Sequence, residues 1–407
     1  MCCSKSAPPR GIIPVALAGL ILAAVPALVW SSPDPAIAAC DELAASPNDH
    51  APGRPGVAFE DIDGERARDA CRTAHRSEPD NARLAFQLGR AEQKLGNHAE
   101  ALALFEEARL RGYSLADVAI GILHDQGLGV PQDYGKALAH YRRAADAGIG
   151  VGLSNVADLY AEGLGVPRED AKALALYRQA AAAGYVPAYG KLADRLADTY
   201  APSNDPRPVI DAYLAASGHG IGSANVALGE FYRDGRFGLQ ADPVAASAHF
   251  EAAMAAGEPV AALHLAELLT FGRDKARRNL VRAGELLAGL AETGDAPLRS
   301  DALALLAEIA LQRVGEEKQA ARLIDQALVL QPDNPGALAA LSELLLRSRD
   351  FHGADAALAS AIEAAPDWAP YYLRRAGVQE EMHQPEAAEK QRANAAAVSA
   401  GAGILPR

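Results

Sequence analysis

The sequence predicts an all-α protein, a right-handed α-solenoid built from antiparallel helix pairs. Half of the residues are hydrophobic but only 5% are aromatic, and alanine supplies much of the apolar content. Alanine is the strongest helix former, and its small side chain lets helices pack closely. Residues 125–148 and 161–184 are also nearly the same segment, with 15 of 24 positions identical. A copied helix pair cannot bury its apolar face alone, so stacked copies are expected to build the core.

The repeat has a period of 36 residues, because this offset joins Tyr141 to Tyr177 and Tyr177 to Tyr213. These tyrosines define three units, although the turn of the third, residues 199–206, has diverged. A fourth unit carries one inserted residue in its turn, and a fifth follows from about residue 258 to residue 294. We therefore predict about five units between residues 114 and 294.

Each unit is expected to be built in the same way. The first helix presents a small residue where the backbone of a neighbouring helix should approach, because bulk there would push the helices apart. Glycines able to take positive φ then end this helix, as Gly163 and Gly165 do in the second unit, and a proline and an acidic residue precede the next helix. Because the glycines recur once per unit, we interpret them as helix caps rather than as phosphate ligands. The small residues are Gly121, Ala157, Ala193 and Gly229.

These units resemble the Sel1-like repeat. The flanking segments, residues 61–113 and 295–398, have a different period, since Pro332 and Pro366 lie 34 residues apart with alanines at equivalent places before each. This spacing is similar to the tetratricopeptide repeat. The two resemblances imply adaptor or scaffold work without catalysis.

The first 38 residues resemble an export signal. Lys5 and Arg10 precede an apolar run of 20 residues, and Ala36 and Ala38 fit the small-residue rule for cleavage before residue 39. The apolar run is long for a signal, so an uncleaved membrane anchor remains an alternative. A third reading is a lipid on Cys40. In each case the positive flank stays inside and the rest is exported, which predicts a periplasmic or secreted protein.

Cys40 and Cys71 are the cysteines that remain after this signal. In an exported protein, a single pair is more simply a disulfide than a metal site, which needs about four ligands. We predict that the bond ties an extended N-terminal arm, residues 39–60, to the helix that caps the array. Residues 399–407 are expected to form a tail.

The charge and the motifs exclude several functions. A net charge of −13 argues against nucleic acid as a partner, since such proteins need a concentrated basic face. The ten histidines form no metal-binding pattern, and the sequence contains no phosphate-binding loop and no nucleophile elbow. We therefore predict no enzymatic activity, no cofactor and no metal.

Two charged features could bind a partner, although both have the alternative of being ordinary solvated surface. By analogy with the tetratricopeptide register, the residue after each small residue should face the concave surface, and this gives an acidic row that would favour a basic partner. The acidic row comprises Asp158, Asp194, Glu230 and Glu267. A basic loop could bind an anionic polymer or a membrane surface. The basic loop contains Arg273, Lys275, Arg277, Arg278 and Arg282.

The sequence thus predicts an exported helical-repeat scaffold that binds another cell-envelope protein through its concave surface. One alternative is a binder of anionic cell-wall or exopolysaccharide through the basic loop. A less favoured alternative is an enzyme, because some cysteine-rich exported Sel1-like proteins are linked to penicillin binding. Those proteins carry a cysteine pair in each repeat, whereas the repeats proper have none here.

Overall fold

The fold is an α-solenoid, as the sequence predicts. A computed structural model describes residues 34–49, 56–272 and 278–401, and these residues form twenty helices and no strand. Successive helices pack against each other along the chain, and the tightest contacts join the two helices of each pair. We call the odd-numbered helices first helices and the even-numbered ones second helices.

The helices have the following bounds. The N-terminal pairs are α1 (Pro35–Ala44), α2 (Gly64–Ser77), α3 (Ala82–Lys94) and α4 (His98–Leu110). The five predicted 36-residue units are α5 (Leu115–Gln126), α6 (Tyr134–Asp146), α7 (Gly150–Glu162), α8 (Asp170–Ala182), α9 (Pro187–Asp198), α10 (Arg207–Gly218), α11 (Gly222–Asp234), α12 (Pro243–Ala255), α13 (Val260–Phe271) and α14 (Leu280–Thr293). The C-terminal pairs are α15 (Ala296–Leu311), α16 (Glu317–Leu330), α17 (Pro335–Arg347), α18 (Phe351–Ala364), α19 (Ala369–Glu381) and α20 (Pro385–Gly401).

The core is a series of small clusters, each shared by neighbouring helices. One cluster joins Tyr141 of α6 to Tyr177 of α8 through the buried residues of α7 between them. Many of the fully buried side chains are alanines, which bring the helix backbones close. Stability therefore comes from contacts between neighbouring repeats, as in other solenoids.

The small residue of each first helix packs against an aromatic ring and not, as the sequence analysis expected, against a backbone. A Cβ added at Gly121 would lie 2.4 Å from the ring of Tyr141, and one added at Gly229 would lie 2.4 Å from the ring of Phe250. Each ring belongs to the second helix of the same unit. Glycine is needed at these two positions because the flat ring lies directly on the first helix.

The predicted glycine turns are present. Gly163 (φ +72°) and Gly165 (φ +69°) both have the left-handed conformation, and Gly163 caps the C-terminus of α7. A Cβ on Gly165 would also lie 2.7 Å from Cβ of Tyr134, in the preceding unit. The turn therefore both ends a helix and contacts the neighbouring repeat.

The inserted residue of the fourth unit lies next to the diverged turn of the third. Phe237 (φ +53°) packs its ring 4.7 Å from that of Phe231 and 5.0 Å from that of Tyr200, measured between ring centroids. Tyr200 belongs to the turn that has lost its glycines. The insertion thus adds apolar contacts at the place where the repeat pattern is weakest.

The N-terminal arm is not extended as predicted. Residues 35–44 form α1, whose N-terminus is capped by the Asp34 carboxylate at 2.8 Å from the backbone nitrogen of Ala36. Pro35 stands at the first helical position, where proline is favoured, and Ala44 is buried. Burial of one apolar face therefore forms a helix here, and the predicted cleavage site lies inside it. The rest of the predicted signal, residues 1–33, lies outside the described residues, as do the last six residues of the predicted tail.

Candidate binding surface

The second helix of a unit holds the acidic row in place. Tyr177 of α8 donates its hydroxyl to the Asp158 carboxylate of α7 at 2.6 Å. One unit later, Tyr213 of α10 donates to Asp194 of α9 at 2.8 Å. Burial, together with the bond to the carboxylate, raises the pKa of both tyrosine hydroxyls, so they remain protonated donors. In the first unit, where Ile122 occupies the row position, Tyr141 donates instead to Asp125 at 3.1 Å.

Cations of the neighbouring first helix neutralise part of the acidic row. Lys191 of α9 lies 2.6 Å from Asp158, and His264 of α13 lies 3.3 Å from Glu230 and 3.5 Å from Glu267. These pairs are side chains 33 or 34 residues apart, and they join one unit to the next. The acidic row is therefore not a line of free carboxylates, because it takes part in the contacts between repeats. Its role as a binding surface stays a prediction.

A pair of basic residues crosses the same face. Arg195 of α9 donates to Glu162 of α7 at 3.3 Å and to the carbonyl of Ala161. Arg233 of α11 lies 3.6 Å from Glu267 of α13. The first helices thus present alternating acids and bases to their neighbours, so the face is polar and mixed in sign.

The first-helix face is concave near the C-terminal end. Arg374 of α19 donates to Glu308 of α15 at 2.8 Å, although these helices lie two units apart. Arg347 of the intervening helix, α17, donates to the carbonyl of Leu311 in α15. Side chains can bridge over an intervening repeat only where the face curves inward.

The basic loop is described in part. Arg273, Lys275 and Arg277 lie outside the described residues. Arg278 donates to the carbonyl of Gly272 at 3.1 Å, and Arg282 donates to Glu251 at 2.8 Å. Both described guanidinium groups therefore have partners within the chain, and the structure leaves the predicted anion site untested.

The predicted cysteine pairing is present in the structure. Cys40 of α1 and Cys71 of α2 form a disulfide with their Cα atoms 4.6 Å apart, and both residues are fully buried. Arg90 of α3 donates to the carbonyls of Ala44 and Val57, on either side of the segment that follows α1. The bond and the arginine together fix the N-terminal helix to the end of the array. A cysteine sulfur in this disulfide is not free to carry the lipid considered for Cys40.

Two searches of the described residues were negative. No group of three or more histidine, cysteine, aspartate or glutamate side chains is arranged to hold a metal ion. Among the helices of residues 34–49, 56–272 and 278–401, none combines the length and the apolar character needed to cross a bilayer.

Sequence reasoning missed the tyrosine bonds, although a signal for them was present. Tyr177 follows Asp158 by 19 residues, and Tyr213 follows Asp194 by the same number. A donor and an acceptor that keep one separation in successive units can be found by aligning the units. The ion pairs across units carry no comparable signal, because their separations vary with the turns between helices.

Comparison with known proteins identifies the repeats. The model of the Sel1 repeat matches residues 114–149, 151–185 and 222–258. The chain carries Sel1 repeats. These three Sel1 repeats are the first, second and fourth predicted units, and the unmatched third and fifth units are the two in which the sequence pattern is weakest. Sel1 repeats form helical scaffolds that mediate protein–protein interaction.

Solved structures with similar folds include other repeat proteins. A Sel1 repeat protein from Oxalobacter formigenes is 21% identical, with a TM-score of 0.47 over 55% of this chain and 91% of its own. A protective antigen of uropathogenic Escherichia coli with an SLR fold is 18% identical, with a TM-score of 0.31 over 84% of this chain and 94% of its own. An immunity protein from Pseudomonas aeruginosa is 21% identical, with a TM-score of 0.33 over 48% of this chain and 75% of its own. No curated protein matches the sequence. None of these similarities bears on the function of this chain.

Proposed function

We propose that this Sel1-repeat protein is an exported scaffold, without catalysis of its own, that binds another protein of the cell envelope through its first-helix face. The observation that carries the proposal is the bond between Glu308 and Arg374, because it makes this face concave at one end. Concave surfaces are the part of a solenoid that extended partners contact. The polar, mixed character of the face favours a charged protein segment over an apolar one.

Export is supported by two features. The first 38 residues resemble an export signal. The buried Cys40–Cys71 disulfide is of a kind that persists in oxidising compartments such as the periplasm. N-terminal sequencing of the protein recovered from the periplasm is expected to begin at Ala39. A full-length membrane-embedded species, or a lipid on Cys40, would replace this part of the proposal.

Capture of a partner from envelope extract tests the binding role. The bait carries amides in place of three acidic-row carboxylates, Asp158→Asn, Asp194→Asn and Glu230→Gln. Amides keep an oxygen that can accept the tyrosine hydroxyls, whereas lysines would leave buried donors without acceptors. We expect the triple variant to lose the partner that the wild type captures at low salt, with unchanged circular dichroism.

A matched control removes the same charge from second helices. Asp146→Asn, Glu285→Gln and Glu292→Gln change exposed carboxylates of α6 and α14. This control should capture the partner as well as the wild type does. Equal capture by both triple variants would show that the acidic row is solvated surface, and recovery of glycans in place of a protein would favour the polysaccharide alternative.

A further inference from the structure

A cavity of about 440 Å³ lies on the concave face at the C-terminal end of the array. Four successive first helices, α13, α15, α17 and α19, contribute to its lining, together with α18. Its apolar wall includes Leu311, Ala339, Leu346, Leu358 and Val378. The volume falls in the range of cavities that take ligands, which is roughly 300–1,000 Å³.

The charged groups around the cavity leave one carboxylate without a partner. Arg374 is paired with Glu308 at 2.8 Å, and Arg347 is paired with Glu343 at 3.3 Å. Glu381 also lines the cavity, is exposed, and forms no ion pair with any described residue. Both arginines are therefore neutralised, and the rim has an excess negative charge at Glu381.

A buried hydroxyl in the same wall also lacks a partner. Ser342 is 1% exposed, and its Oγ forms no hydrogen bond. Buried polar groups are nearly always hydrogen-bonded, so an unpaired hydroxyl in a cavity wall points to a partner from an occupant.

The cavity also contains a helical glycine that packing does not require. Gly377 lies in the middle of α19 and lines the cavity, and a Cβ added there would meet no atom within 4 Å. Alanine would favour the helix more strongly than glycine does. The absence of a side chain keeps space open in the cavity.

We propose that this cavity receives a lysine or arginine side chain from an exposed segment of the partner protein. The inference rests on the proposed function and names the chemistry that the partner must present. Long cationic side chains lay their methylene groups along apolar surface while the charged head stays at a polar rim. Here the stem lies along the apolar wall, the head pairs with Glu381, and Ser342 supplies a hydrogen-bond partner inside.

Methyl NMR with short peptides tests the cavity directly. The probes are capped pentapeptides of alanine with lysine, norleucine or glutamate at the centre. We expect the lysine peptide to shift the methyl resonances of Ala339, Leu346 and Val378, and to bind about three- to fivefold more tightly than norleucine does, the range of a partly exposed ion pair. The glutamate peptide should bind most weakly. Equal binding of lysine and norleucine, or no shift at these methyl groups, overturns the proposal.

Two variants separate the charge from the space. Glu381→Gln should abolish the preference for lysine over norleucine while leaving norleucine binding unchanged. Gly377→Leu should fill the cavity and weaken binding of both peptides. Its matched control is Gly289→Leu in α14, where an added Cβ also meets nothing within 4 Å, and this control should bind like the wild type. If Glu381→Gln keeps the full preference for lysine, the proposed pairing is wrong.

Capture of the envelope partner distinguishes the two proposals. Glu381→Gln and Gly377→Leu should both reduce capture, whereas Gly289→Leu should not. If wild type and both cavity variants capture the partner equally, the scaffold function stands and the cavity is not its docking site. If the wild type captures no protein, the scaffold function fails, and the peptide titrations still decide whether the cavity selects a cation.

Discussion

Tyr177 donates its hydroxyl to the Asp158 carboxylate at 2.6 Å, and this bond joins the two helices of one Sel1 repeat. Asp158 also receives Lys191 from the next repeat at 2.6 Å. One carboxylate therefore serves the contact within a unit and the contact between units. A residue in an acidic row can thus stabilise the array as well as face a partner.

The tyrosine bond is expected to stabilise the fold measurably. Tyr177→Phe removes the hydroxyl and keeps the ring, which is the arrangement that Phe250 already has in the fourth unit. We expect a loss of about 1 kcal/mol in the free energy of unfolding, measured by urea denaturation, because a partly buried hydrogen bond is lost. Asp158→Asn keeps an acceptor for the hydroxyl and should cost less than removal of the carboxylate by Asp158→Ala. An unchanged denaturation midpoint for Tyr177→Phe would refute a stabilising role.

The two turn glycines should differ in their tolerance of alanine. Gly163→Ala and Gly165→Ala are each expected to cost about 1 kcal/mol or more, because alanine resists positive φ. Gly165→Ala should cost the larger amount, since its Cβ would lie 2.7 Å from Tyr134 whereas that of Gly163 would lie 3.3 Å from Arg168. Gly284→Ala in α14 is the control and should raise stability slightly, because nothing lies near its added Cβ. Thermal melts of the three variants measure the order, and the reverse order would contradict the contact with Tyr134.

Removal of the disulfide should loosen the N-terminal end of the array. Replacing Cys40 and Cys71 together by serine opens a loop with a sequence separation of 31 residues. The chain-entropy model then gives a loss of about 3 to 4 kcal/mol. Hydrogen exchange should show the loss of protection concentrated in α1 and α2, while the Sel1 repeats remain protected. Two free thiols in the denatured, unreduced mature protein would show that the bond does not form.

Stability in acid should depend on Asp355. Arg375 donates to both of its carboxylate oxygens at 2.9 and 3.0 Å, and this hydrogen bonding holds the pKa of Asp355 below its usual value. Because the folded pKa is below the unfolded value of about 3.9, the stabilisation is fully present above that pH and is lost as the pH falls through the folded pKa.

Asp355→Asn tests this dependence. The variant should be less stable than the wild type at pH 7, and the difference in free energy of unfolding should shrink as the pH falls from 5 to 2. Denaturation at a series of pH values measures it. A difference that stays constant over this range would show that the carboxylate charge is not what stabilises the pair.

Much of the architecture could be predicted because it depends on local patterns. The copied glycines and tyrosines marked the units, and the left-handed conformations of Gly163 and Gly165 follow from their place between two helices. The pairing of Cys40 with Cys71 followed from the count of cysteines left after the signal. The expected extended arm was wrong, because Pro35–Ala44 has no helix breaker after its first residue and can bury one face on α2 and α3.

The sequence by itself determined the repeat period, the helical class and the positions of the turns, since these depend on residues close together in the chain. Only the tertiary structure decided what each side chain contacts. It placed an aromatic ring, and not a backbone, against Gly121, and it joined Glu308 to Arg374 across two repeats. The cavity beside Gly377 likewise arises from the curvature of the array. Curvature accumulates from small rotations between successive helix pairs, and no local pattern in the sequence records that sum.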